Sequence, residues 1–345
     1  MGELARRGAT GGLRRMPWAG RAHQQPPAPP RQQPGLPAVV EHGGVRWINI
    51  EGPNEASVRY LREHFPFHEP DLEDVLDTLQ RPKLDVYDDY LFLVLQFPVH
   101  SKLTRRTTPH EVDIFVGRDY VITLHDAAIK PLSRLFDLVE REPDERAAVF
   151  SDGAEYLLHA IIDRLLDYCG PITRRISERI ERIDALIFEP DALRTIEEIA
   201  TVRRDIIATR RIIKPQVAVI AALDRQVRAI FKQSDEDEAE ELEAYFGDLG
   251  DNIARIYDIL DDAKEVVDAL SATTDSLATH RLNQVIKILT IFSVIMLPLT
   301  LISSIYGMNV PLPYEEHRLS FIILLVAMGL IALGMALFFR WRRWL

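Results

Sequence analysis

Apolar positions change period three times along the chain. Between residues 39 and 145 short β-branched and aromatic runs at 45–50, 90–97, 112–116 and 120–124 alternate with polar helical stretches, which predicts an α/β domain. Gly117-Arg118-Asp119, between the last two runs, reads as a hairpin turn. From Ala154 the period is helical, giving helices over 156–169 and 172–188. A third is opened by Glu189-Pro190-Asp191 with Asp191 as N-cap and closed before Pro215, and a fourth covers 216–232. Past Asp251 there is neither Gly nor Pro for 46 residues, until Pro298. As one helix at ~1.5 Å per residue that run would be about 70 Å long, too long for a compact domain, and its first part, 251–287, reads as a stalk. Residues 288–306 (19 residues) and 319–339 (21 residues) carry no charge, and each is long enough to cross a ~30 Å hydrocarbon core.

Charge divides the rest. Residues 1–38 hold six arginines against one acid, Glu3, and seven of the chain's 21 prolines; too few apolar residues accompany them to offset the entropy of ordering, so they are predicted to be a disordered basic tail. Met16-Pro17-Trp18-Ala19-Gly20 is no apolar core of a secretory signal. The net charge of −11 argues against nucleic acid as partner. A single cysteine, Cys169, excludes an internal disulfide framework and leaves metal chemistry to oxygen and imidazole ligands. No Gly-rich phosphate cradle and no nucleophile elbow occur, so no enzyme is expected.

Arg281 and Lys287 precede the first span and Arg340, Arg342 and Arg343 follow the second, against one Arg318 between them. The positive-inside rule then puts both termini, the 39–250 domain and the basic end 340–345 in the cytoplasm of a cell (inner) membrane protein, with 307–318 as an external loop. Two spans cannot enclose an aqueous pathway, so transport would need several copies around an axis. At 100° per residue, Asn283, Ile286, Thr290, Ser293, Leu297, Thr300 and Ser304 fall within an arc of about 100°, a polar lining for such a path. The other reading of the stripe is hydroxyls bonded back to their own helix. Residues 234–251 hold nine acids and no base. They read either as a solvated face or tip between helices or as a site for a hard divalent cation.

Tyr306-Gly307-Met308-Asn309 closes the first span. With Lys287-Ile-Leu-Thr, Met296-Leu-Pro-Leu-Thr and Arg342-Arg343-Trp344-Leu345 around two C-terminal spans, and Glu73-Asp74-Val75-Leu76, Gln80-Arg81-Pro82-Lys83 and Asp113-Ile114-Phe115-Val116 upstream, the chain resembles the CorA family of divalent-cation channels over nearly everything after residue 40.

The resemblance implies a homopentamer with a funnel-shaped cytoplasmic α/β domain and a long stalk helix continuous with the pore-lining span. It implies passive Mg²⁺ influx closed by cytoplasmic Mg²⁺. Gly307, Met308 and Asn309 would form the selectivity filter; Asn283, Ile286, Leu289, Thr290, Ser293, Leu297, Thr300 and Ser304 would line the pore, with Leu289 and Leu297 as hydrophobic constrictions. Asp74 and Asp248, with Asp251 as a further candidate, would hold regulatory Mg²⁺ between subunits; the other reading is ordinary surface acids. The loop after Asn309 departs from the family pattern, its acids Glu315 and Glu316 coming late. A Zn²⁺, Co²⁺ or Ni²⁺ transporter of the same superfamily, resembling ZntB, is the alternative, and a two-span membrane-anchored sensor a remote one. Mg²⁺ keeps its waters tightly, so a filter of neutral amide oxygens touching the hydrate suffices.

Overall fold

The structure is a computed structural model that describes residues 34–77, 79–101, 103–104, 106–150, 153–187, 192–231, 236–308, 318–342 and 344. The expected disordered tail lies, up to residue 33, outside the described residues, as do the Asp191 cap and Asn309. The described residues form two compact units, one holding those up to Leu186 together with Glu197–Asp268, the other Ile187–Ile196 and Ala269–Leu345.

The first unit is built on a six-stranded sheet of β1 (Pro37–His42), β2 (Val45–Glu51), β3 (Lys83–Val86), β4 (Tyr90–Ser101), β5 (Arg106–Gly117) and β6 (Tyr120–His125). The order is β1-β2-β6-β5-β4-β3, antiparallel throughout except for the parallel pair β2 and β6. Strand alternation sends Ile48, Ile50, Tyr90, Phe92, Val94, Phe115, Ile122 and Leu124 to one face, where they pack on Val58, Leu61 and Leu72 of α1 (Glu55–His64) and α2 (Glu69–Asp74) and on Val75, which caps α2. On the other face Trp47 meets Phe136 edge to face at 5.1 Å, within α3 (Lys130–Arg141), which is followed by α4 (Pro143–Val149) and α5 (Ala154–Asp167). Both faces are covered, so residues 91–95 read as one apolar run and are all fully buried.

Four expectations need correction. β1 begins at Pro37, two residues inside the stretch read as tail. β4 runs on past residue 97 and β5 starts before residue 112, the bounds expected from the sequence, so that both pass through a proline; Pro98 and Pro109 face each other in register, beyond the pairing of β3 and β6, in a two-stranded extension whose outer edges need no donor. Pro215 does not end a helix. After α6 (Cys169–Leu186), one helix α7 runs Ala192–Ile230 through it. The proline removes one donor, and in that turn the buried Gln216 amide donates to the Ile212 carbonyl at 2.9 Å. The same side chain accepts from the Gln96 N–H at 3.0 Å and donates to the Gln96 carbonyl, standing in for a strand beside β4 just past the end of β3. Finally, of the face or tip that the solvated reading of the acidic block allowed, the tip is excluded from residue 236 onward, because α8 (Glu236–Tyr306) is already helical there and continues for 71 residues.

The second unit holds the last part of α8 and the helix α9 (Arg318–Trp341). Pro298 lies within α8 without ending it. Both helices are long and apolar enough to span a membrane, and their large apolar side chains face outward: Leu297 is 70% and Ile323 66% exposed. A soluble protein would bury such residues; here lipid or further copies of the chain must cover them.

Candidate functional site

The outward face of α8 carries the predicted stripe. Ser293, Leu297, Thr300 and Ser304 line one shallow groove together with Met296 and Leu301, and Asn283, Ile286, Leu289 and Thr290 are exposed as well. Thr290 donates to the Ile286 carbonyl and Thr300 to the Met296 carbonyl, each at 2.8 Å. Back-bonding and an outward stripe are therefore both present. Spending the hydroxyl hydrogen on the helix leaves each oxygen as an acceptor only, the polarity a cation or its water shell requires. The helix stops at Gly307, whose N–H donates to the Ser303 carbonyl at 3.0 Å. A Cβ at Gly307 would sit 3.2 Å from that oxygen, a crowding that glycine avoids. Met308 is 56% exposed. Asn309, Glu315 and Glu316 lie outside the described residues, so the filter's own geometry is not described.

Asp74 ends α2. That helix is tied to the sheet by the buried Asp71, whose carboxylate accepts from Tyr87 at 3.1 Å and Tyr90 at 2.7 Å. Asp74 itself pairs with Lys83 at 2.7 Å, and Lys83 also reaches Asp85 at 2.5 Å. Burial works against the Lys83 ammonium, but its hydrogen bonds and charge contacts with the two carboxylates outweigh that and hold its pKa above the ordinary value. Asp248 and Asp251 are exposed on α8. Asp248 acts on two groups of α5: burial pushes the Asp163 carboxyl up to about 6, with the charges of Asp167 and Asp248 adding to it. Burial lowers His159 to about 4, which Asp248 only partly opposes. The site residues are thus oxygen donors on a wet surface, suited to a hard cation. Among the described residues no three acid, histidine or cysteine side chains gather as a ready metal cage, and no hydrogen bond or ion pair links Asp74 to Asp248.

Two interior acids escaped the sequence reading. Glu111 and Asp113 alternate onto the same face of β5 as Phe115, and Lys83, Val94 and Asp113 stand in one register row across β3, β4 and β5. Asp113 is buried, with Oδ1 lacking any partner among the described residues; burial raises its pKa well above normal. Glu111 accepts from the Gln80 N–H, and burial still pushes it up to about 7. The only sequence signal was Glu-Val-Asp leading into an apolar strand, a pattern that more often marks a solvated strand end.

A family described as CorA-like Mg²⁺ transporter protein matches residues 42–343. The chain is 28% identical over 302 residues to the cobalt/magnesium transport protein CorA of Thermotoga maritima, covering 87% of this chain and 83% of that one. It is 28% identical over 299 residues to the putative metal ion transporter YfjQ of Bacillus subtilis, covering 86% and 89%. In fold it is similar to the complete structure of the CorA magnesium transporter from Methanocaldococcus jannaschii, with a TM-score of 0.73 at 22% identity over 87% of this chain and 92% of that one.

Proposed function

The chain belongs to the CorA family of divalent-cation transporters, and from that premise we propose that it is a passive Mg²⁺ channel formed by five copies and closed by Mg²⁺ from the cytoplasm. The observation that carries the reading is the outward stripe of α8, where hydroxyl oxygens left as acceptors alternate with exposed leucine along a helix that runs to Gly307. Repeated around an axis, the stripe becomes the lining of a pore. Asn309 then presents a ring of amide oxygens to the hydrated ion, and Leu289 and Leu297 form constrictions that close by dewetting. Moving two charges through 100 mV releases about 4.6 kcal/mol, at ~2.3 kcal/mol per charge, so influx needs no nucleotide. With neither histidine nor cysteine in the stripe, the lining favours hard cations over soft ones. The T. maritima relative's name adds Co²⁺ to the ions to be tested.

Closure rests on like charges. The carboxylates of Asp74 in one subunit and Asp248 in the next, with Asp251 one turn on, repel unless a cation lies between them, so Mg²⁺ there favours the symmetric closed assembly by its differential affinity. Lys83 already neutralises part of Asp74, which weakens the site and suits a sensor working at millimolar rather than trace Mg²⁺. Orientation follows the positive-inside rule, with both termini cytoplasmic.

The test is ion flux into proteoliposomes under an inside-negative potential, comparing Mg²⁺, Co²⁺ and Zn²⁺ for wild type and Asn309→Ala. Expected is saturable Mg²⁺ influx in wild type and, in the variant, an intact oligomer without selective Mg²⁺ uptake. Zn²⁺ flux that outcompetes Mg²⁺ would replace the ion assignment, and normal selectivity in the variant would remove Asn309 from the filter.

A further inference from the structure

The end of α9 carries a feature that ion conduction does not use. Arg342 caps the helix through its N–H to the Phe338 carbonyl at 3.0 Å, and its guanidinium lies 5.9 Å from the Phe338 ring and 5.9 Å from the Trp341 ring. Past the helix the chain folds back. The Trp344 N–H reaches the Phe339 carbonyl at 2.9 Å, its ring stacks on Phe339 at 5.9 Å, and Lys287 of α8 stands 6.0 Å over it. Lys287 of α8 and, from the end of α9, Arg342, Trp341 and Trp344 are therefore brought to one level, where the uncharged spans end. Trp341 is 78% exposed.

No Asp or Glu occurs between residue 317 and Leu345. Among the described residues the Arg342 guanidinium makes no hydrogen bond or ion pair, only its two ring contacts. Those rings hold it at the margin of the hydrocarbon and leave the N–H edge of its planar fork free. A fork so held matches two oxygens of a tetrahedral anion, and tryptophans at this depth sit among lipid glycerol and headgroups. We propose that Arg342, walled by Phe338 and Trp341, binds the phosphodiester of an anionic phospholipid headgroup. The inference rests on α9 spanning a membrane and is independent of which ion the protein carries or how it closes. A basic residue near an anionic surface contributes about 1 kcal/mol, roughly a five-fold preference.

Trp341 reports on its own neighbours. The full-length oligomer is reconstituted in phosphatidylcholine bilayers in which either phosphatidylglycerol or phosphatidylcholine carries brominated chains at equal mole fraction, and tryptophan quenching is measured. Wild type should be quenched preferentially by the brominated phosphatidylglycerol, with a relative affinity near five-fold. Arg342→Gln should bring the ratio to about one, and Arg342→Lys, which keeps the charge without the fork, to between the two. Equal quenching by both lipids in wild type, or an unchanged ratio in Arg342→Gln, overturns the proposal. If Arg342→Gln does not form the oligomer, Arg342→Lys decides alone: an undiminished ratio would show a mere point charge and overturn the fork. Excess inorganic phosphate should leave the ratio intact; its collapse would assign the site to soluble phosphate and overturn the lipid source.

Discussion

The sheet-bearing unit and the two-helix unit draw on the same apolar residues to opposite ends. Residues 91–95 of β4 and 114–116 of β5 are fully buried leucine, isoleucine, valine and phenylalanine, whereas on α8 beyond Ile288 and on α9 many residues of the same types are exposed, Leu297 by 70% and Ile323 by 66%. The first unit closes its core with its own chain. The second leaves its apolar side chains for lipid or neighbouring copies to cover.

That contrast can be tested by matched truncations. Phe115→Ala removes a fully buried ring stacked on Phe92 at 4.4 Å and Phe67 at 4.2 Å and should cost about 3–5 kcal/mol. Leu325→Ala, on an exposed face of α9, should change the thermal unfolding of the detergent-solubilised chain by well under ~1 kcal/mol, because detergent covers either side chain. Equal losses would mean that α9 is packed against protein where it is taken to face lipid.

A polar change on the groove of α8 separates a pore face from a lipid face. Leu297→Ser should raise Mg²⁺ leak about ten-fold or more at high internal Mg²⁺, since a hydroxyl rewets a constriction. Unchanged closed-state conductance would place the gate elsewhere.

Smaller is the effect expected where the first unit informs the second. Asp74→Asn with Asp248→Asn should need several-fold more internal Mg²⁺ to stop the current, with ion selectivity unchanged. Closure at the wild-type concentration would return both residues to the status of surface acids.

The smallest effect concerns the interior acids alone. Burial pushes Glu111 up to about 7 from an unfolded value of about 4.3. Its neutral form is the one the fold favours, so this stabilising contribution is complete below the unfolded value and is lost as pH rises through 7. Glu111→Gln, permanently neutral and still able to accept from Gln80, should match wild type at pH 4. At pH 8 it should be more stable, by on the order of 1 kcal/mol once partial solvation of the site is discounted. Asp113 shifts in the same sense in both proteins. A pH-independent difference in unfolding temperature would show that Glu111 is not protonated in the fold.

Much of this was legible in the sequence because it rested on length and period. The two spans, the stalk run and the four strand cores are long, regular signals, and Gly-Met-Asn after a first span has few other meanings. What failed to read were features decided at a distance. Pro98, Pro109 and Pro215 are local stop signals, overridden by an open edge in the first two cases, while in the third α7 continues through the proline. β3 is four residues whose strand character comes from Lys83 lying beside Val94. The burial of Asp113 depends on a register that places it two residues from Phe115, under α1 and α2, where composition alone predicts a wet strand end. For Asp74 and Asp248 the residues were legible; the meeting across subunits proposed for them would not be a property of one chain.

The bond between Gln216 and Gln96 has a consequence for the order of folding. It closes a separation of 120 residues, an entropic cost of about 4 kcal/mol for a flexible loop, so it forms after the local hairpins. At ~5–20 residues per second of synthesis, Gln216 follows Gln96 by about 6–24 s. Throughout that interval β4 shows a bare apolar edge past Val94, the kind of strand that recruits other chains. The nascent protein is therefore most prone to aggregate before α7 is made, and a ribosome stalled short of residue 216 would hold it in that state.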